Sequence, residues 1–155
     1  MDRDDDTRPQ DDADTAGGGG ADVRDAEILE QTAEAVIYAD REGRIRRWNR
    51  GCVELFGFTA DEALGQRLDL IIPERLRDAH WRAFDAAIGR GATNGGREAR
   101  LTRVLAKDGE RRYVEMSFAV VVGTDGRAHG SVAVARDVTQ RELAARAARE
   151  AGAGA

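Results

Sequence analysis

The spacing of hydrophobic positions changes along this chain, and with it the element each stretch predicts. Residues 22–33 (DVRDAEILEQTA) set Val23, Ala26, Leu29 and Ala33 at helical intervals, which predicts a short helix. EAVIYAD, residues 34–40, reads as a strand; Arg41, Glu42 and Gly43 supply a turn, and RIRRWN at 44–49 alternates like a second strand paired to the first. Asn49 is placed to cap a short helix through Cys52, Val53, Leu55 and Phe56 to Gly57. Thr59 with Glu62 forms a capping box for another short turn, ended by Gly65. An apolar segment from Leu68 to Ile72 then leads to Pro73 and one longer amphipathic helix over 73–91.

Beyond a glycine-rich loop at 89–96 the period drops to two. Residues 97–106 predict a strand, Lys107 to Glu110 a tight turn, and 112–122 a strand with Val114, Met116, Phe118, Val120 and Val122 on one face. A second turn at 124–127 leads to a last strand, GSVAVARDV, and Thr139 with Glu142 predicts a second capping box opening an Ala- and Arg-rich helix. Two strands, several helices, then three antiparallel strands and an exit helix describe an α+β domain, with helices on one face of the sheet.

Composition narrows the function classes. Residues 1–20 carry seven aspartates and four consecutive glycines with almost nothing apolar, so they predict a disordered, solvated acidic tail. The remaining residues hold 22 of the 24 basic and 22 of the 29 acidic groups, which leaves the folded part near neutral and argues against a direct nucleic-acid partner. One cysteine, Cys52, excludes an internal disulfide and fits a reducing cytoplasm. The longest apolar runs, such as Phe118 to Val122, are far too short to cross a bilayer, and the acidic N-terminus is no secretory signal, so no membrane contact is expected. With two histidines, His80 and His129, the common two-histidine metal sites find no support; the serines on the strands lack nucleophile-elbow glycines, and the expectation is a non-enzyme.

Several short words then occur in order: AD-x-x-G-R-I at Asp40 to Ile45, Trp48-Asn49, Leu55 to Phe58, Glu62 and Gly65, Lys107 to Gly109, and Asp137 to Thr139. Together they resemble a PAS domain of the S-box type over roughly residues 28–140. The resemblance implies a five-stranded antiparallel sheet with helices on one face enclosing a ligand pocket. It implies a sensory and dimerisation module, here a homodimer, passing its signal through the exit helix to an output domain or to a protein in trans. The organisation expected is a tail at 1–20, a flanking helix at 21–33, the PAS domain at 34–138 and a signalling helix with a frayed tail at 139–155.

On a helical wheel of the 73–91 helix, Leu76, His80, Ala83, Phe84, Ala87 and Ile88 fall within one arc, with Trp81 at its rim. A neutral imidazole there needs a partner or costs about 1–3 kcal/mol. Two readings follow: a core histidine bonded to a backbone carbonyl or to Tyr38, or a ligand. The haem-binding oxygen sensors of the FixL type resemble this helix, since they carry their iron-ligating histidine seven residues after a proline, as Pro73 and His80 stand here. That resemblance implies haem b with His80 as proximal ligand and a distal side at Met116 and Phe118, the Met116 thioether being either a sixth ligand or core packing. It implies Leu76, Phe84, Val120 and Val132 around the cofactor. The arginine those sensors carry six residues after the histidine is Ala86 here, and a second propionate partner is either Arg97 or Arg100, with Arg77 a further candidate from the helix.

The light sensors of the same fold use a cysteine in an Asn-Cys-Arg word; Cys52 sits in RGCVELFG instead, which predicts a buried hydrophobe and no photoactive thiol. The expected function is therefore a cytoplasmic sensory module reading a diatomic gas or redox state through haem. The alternative is a module without haem, ligand-free or holding a small metabolite or flavin, that serves dimerisation and protein–protein signalling, for example in transcriptional regulation.

Overall fold

A computed structural model describes residues 24–154. The acidic tail at 1–20 and Val23 lie outside the described residues.

Five strands form one antiparallel sheet: β1 (Ala35–Asp40), β2 (Ile45–Trp48), β3 (Arg100–Leu105), β4 (Arg111–Val122) and β5 (Ala128–Asp137), in the spatial order β2-β1-β5-β4-β3. The hairpins β1–β2, β3–β4 and β4–β5 are local, whereas β1 pairs with β5 across almost the whole domain, Ala35 opposite Ala135. Helix α1 (Asp25–Gln31) precedes β1. Three helices, α2 (Arg50–Phe56), α3 (Ala60–Ala63) and α4 (Arg77–Arg90), fill the connection between β2 and β3, and α5 (Thr139–Ala153) follows β5.

The local signals explain most boundaries. Asn49 Oδ1 accepts the Cys52 N–H at 3.1 Å as the cap of α2, which ends where Gly57 takes φ 82°, a left-handed conformation that costs other residues free energy. Thr59 and Glu62 form the reciprocal capping box expected of them. Three expectations fail. The 73–91 helix is not continuous: Glu74–Leu76 form a 3-10 turn and the α-helix begins at Arg77, whose guanidinium donates back to the carbonyls of Ile72 and Asp69 at 3.1 and 3.3 Å. The strand expected from 97 starts only at Arg100, because residues 97–99 still belong to the loop. Thr139 caps nothing at α5. Its hydroxyl instead accepts the Tyr113 N–H at 3.0 Å and donates to Asp137 Oδ1 at 2.6 Å, while the Glu142 carboxylate takes Arg146 and Arg149.

The core lies between α2, α4 and the inner sheet face, with Ile37, Ile45, Cys52, Phe56 and Val114 almost wholly buried. Trp48 and Phe56 stack with centroids 5.1 Å apart, and the Trp48 Nε1–H donates to the Phe58 carbonyl at 2.9 Å. Among the described residues no helix is long and apolar enough to cross a membrane.

Candidate ligand cavity between α4 and the sheet

A cavity of about 520 Å³ opens between α4 and the inner sheet face. Its size falls within the range of about 300–1,000 Å³ usual for small-molecule and cofactor sites. The 3-10 turn contributes Leu76 and α4 contributes His80, Phe84 and Ile88; the sheet contributes Ile37, Val104, Met116, Phe118, Val120 and Ala133. At the mouth stand Arg90, Thr93, Asn94, Glu98 and Arg100. The interior is thus apolar and the rim polar.

The wheel's apolar arc faces the cavity: Leu76 just before α4, and His80 and Phe84 on it, all line it. Phe118 also lines it, yet remains 42% exposed, so the cavity is open along that part of β4 rather than sealed by it. Val132 does not line it. In the β4–β5 register Val120 stands opposite Ser131 and Phe118 opposite Ala133, so Ser131 and Ala133 share their face and Val132 points through the sheet to the other side. Of the two arginines left open by the sequence, Arg100 lines the cavity and Arg97 does not, because β3 begins at Arg100 in register with Met116. Arg77 is held by the Ile72 and Asp69 carbonyls and does not line the cavity either. Thr93, Asn94 and Glu98 carried no sequence signal, because only the path of the 91–99 loop brings them to the mouth.

His80 is the unusual group. Its Nδ1 is buried and has no hydrogen-bond partner, and no described residue bonds to its ring. The Tyr38 hydroxyl, one partner expected of a core histidine, donates to the His129 carbonyl at 3.1 Å instead. The imidazole is held by rings alone: Phe84 stacks at 6.0 Å and Trp81 meets it edge-on at 4.9 Å. Burial pulls the His80 pKa below its ordinary 6.5, against the pull of Asp69 and Asp85, so at neutral pH the ring is uncharged and keeps a free lone pair.

Trp81 fixes the other side of this helix. Its Nε1–H donates to Asp69 Oδ1 at 2.7 Å, the Arg67 guanidinium lies 4.1 Å from its ring centroid, and the ring lies against Gly43 in the β1–β2 turn, where a side chain would collide with it. α4 is therefore clamped to the hairpin at one end while the cavity stays open at the other.

Cys52 lies on α2, outside the cavity; burial pushes its thiol up to about 12, and it donates to the Val36 carbonyl at 3.2 Å. His129, expected to be solvated, is exposed beside Asp125, 3.3 Å away.

Residues 29–143 match the model of a family described as PAS fold. The chain belongs to that family. As a PAS domain it is a sensory module of signal transduction. It is 28% identical over 116 residues to the cell-division control histidine kinase PdhS of Brucella ovis, a match covering 73% of this chain and 10% of the kinase; the Brucella abortus kinase of the same name matches equally. The chain thus spans about a tenth of the length of these curated relatives. Among solved structures, the PAS domain of a Colwellia psychrerythraea protein superposes with a TM-score of 0.65 at 23% identity, covering 74% of this chain and 94% of that one. An RNA-binding light-oxygen-voltage receptor superposes with a TM-score of 0.63 at 19% identity, over 90% of this chain and 41% of that one. At these identities the two structures establish the fold alone.

The residues of the PAS cavity fit haem b in kind. An imidazole without a protein partner stands on the helix wall, a thioether on the sheet wall, apolar side chains around both, and Arg100 at the mouth.

Proposed function

We propose that this PAS domain is a sensor that holds haem b in the α4–sheet cavity through His80 and reads a diatomic gas or the redox state. The observation that carries this reading is the buried, unpartnered His80 imidazole on the wall of an apolar cavity. A group that leaves a nitrogen unsatisfied forgoes about 1–3 kcal/mol, and rearrangement of the ring onto an iron would use its lone pair. Met116 would hold the iron from the sheet side, Phe118 and Val120 would be the apolar cover, and Arg100 the partner of a propionate. Bound haem would supply the iron to which a gas binds and whose oxidation state can change. The chain's own residues orient it, keep water from most of its faces and hold the imidazole neutral.

The signal would leave through α5, which is tied to β4 by the Thr139 hydroxyl on Tyr113, by the Arg141–Glu115 ion pair and by Arg146 lying 4.7 Å over the Tyr113 ring. Kinship with a histidine kinase supports an output domain of that class as partner, and a homodimer as the working unit.

The test is a titration of the purified chain with haemin, followed by absorbance, with His80→Ala and Met116→Leu beside the wild type. The expected result is a sharp Soret band saturating at one haem per chain, abolished in His80→Ala and shifted in Met116→Leu. A weak band that never saturates and ignores the His80 substitution would overturn the reading.

A further inference from the structure

We propose that the cavity takes an amphipathic carboxylate even without iron, its apolar body between α4 and the sheet and its acid group on Arg100 at the mouth. This rests on the cavity being the ligand site proposed above, but not on His80 binding a metal.

The mouth is where the cavity's charge sits. Arg90 and Arg100 line it against a single acid, Glu98, and neither arginine has a carboxylate partner among the described residues. Nearby arginines do: Arg77 of α4 lies 3.9 Å from Asp69, and Arg112 of β4, the strand beside β3, lies 2.9 Å from Asp108. Arg100 is also turned in the useful direction. Its register opposite Met116 puts it on the cavity face of β3, and its guanidinium lies on Gly95, where a side chain on that residue would collide with it. The 91–99 loop therefore keeps the group over the opening. Arg103 also borders the cavity, but its register opposite Tyr113 puts its side chain on the other face of β3, with the guanidinium 5.9 Å from that ring.

Inside, the lining is mainly apolar. The walls are Ile, Leu, Phe, Val, Met and Ala side chains, joined by Thr102, Ser131 and the His80 imidazole. An anionic head thus has one favourable place, the arginine at the rim, where a guanidinium forms charge-assisted and often bidentate bonds to a carboxylate. A fully apolar ligand would leave those donors to water, and a small polar acid would leave the apolar walls bare.

The experiment titrates the haem-free full chain with cis-parinaric acid, read by its fluorescence, and separately with its methyl ester. Arg100→Gln, Arg97→Gln and His80→Ala are run alongside, with a haemin titration of each. The acid should bind about tenfold or more tightly than the ester, as loss of a charge-assisted contact would require. Arg100→Gln should remove most of that preference, while Arg97→Gln, the same charge change outside the cavity, should retain it; His80→Ala is read by its haemin titration. Equal affinity for acid and ester, or a preference indifferent to Arg100→Gln, would overturn the inference while leaving the cavity a ligand site. Haemin binding with no saturable binding of either fatty ligand would overturn it too. Failure of all three ligands would instead remove the cavity reading on which both proposals stand.

Discussion

Asn49 uses every hydrogen-bonding site of its side-chain amide. Oδ1 accepts the N–H groups of Val36 at 2.9 Å and Cys52 at 3.1 Å, and Nδ2 donates to the carbonyls of Leu29 at 2.8 Å and Glu34 at 3.0 Å. One side chain thereby joins the end of α1, the start of β1 and the first turn of α2. Asn49→Ala would strand these groups in a buried setting, and we expect a loss of about 2–3 kcal/mol, seen as a lower urea midpoint with an unchanged m-value. Asn49→Asp should recover only part of it, since the carboxylate keeps the two acceptor bonds and loses both donors. The cap on α2 was legible in the sequence because capping is local. The other three bonds were not, since they reach residues 13 to 20 positions away. The same distinction separates the hits and misses at the cavity. His80 and Phe84 follow from the 3.6-residue period of one helix, which needs no partner to be read. Choosing Arg100 over Arg97, or excluding Val132, needs a strand's starting residue, and a slip of one residue turns every side chain to the other face.

At the scale of elements, the position of α4 sets the cavity, and Trp81 sets the position of α4. The indole can lie on the β1–β2 turn only because residue 43 has no side chain; Gly43 also holds φ 76°, where an L-residue is strained. Gly43→Ala should cost about 2–3 kcal/mol, from strain of about 1–2 plus displacement of the ring from Asp69, and should shift tryptophan emission as the indole becomes wetter. A Gly65→Ala control, at φ 83° with open space around it, should show the strain alone. The turn at Asp40 reinforces the same corner. Partial burial would raise that carboxyl, but the Arg44 N–H and the Arg46 guanidinium bond it at 2.9 and 2.6 Å and hold it below the usual carboxylate range. The strands and short helices of this region were readable from turn residues and caps. The 3-10 turn at Glu74–Leu76 was not, because the apolar period runs through it unbroken while the Arg77 side chain claims the carbonyls before it. Nor was the role of Thr139, whose spacing to Glu142 mimics a capping box although its hydroxyl serves the sheet.

For the molecule as a whole, His80 gives stability a pH dependence of known sign. Its pKa is lower in the folded chain than the ordinary 6.5, so the unfolded chain binds the extra proton. Stability is then full above about pH 6.5 and falls as the pH drops towards the folded value. Thermal melts from about pH 7.5 down to 5.5 should show a falling midpoint in the haem-free wild type and a flatter profile in His80→Phe; equal slopes would show that the ring titrates as in the unfolded chain. The strand order lies at the opposite extreme of legibility. Periodicity identifies five strands and their hairpins, but the pairing of β1 with β5 joins residues about a hundred positions apart, and no local pattern announces it. That pairing has a consequence for how the domain can be carried. Ala35 and Ala135 are Cα partners, and the adjoining Glu34 and Arg136 form an ion pair, so the core begins and ends one strand spacing apart, about 5 Å. Such a unit can be spliced into a surface loop of a host protein as a cassette. The host's two broken ends would then stay almost touching, and any shift between β1 and β5 would reach it as a torque.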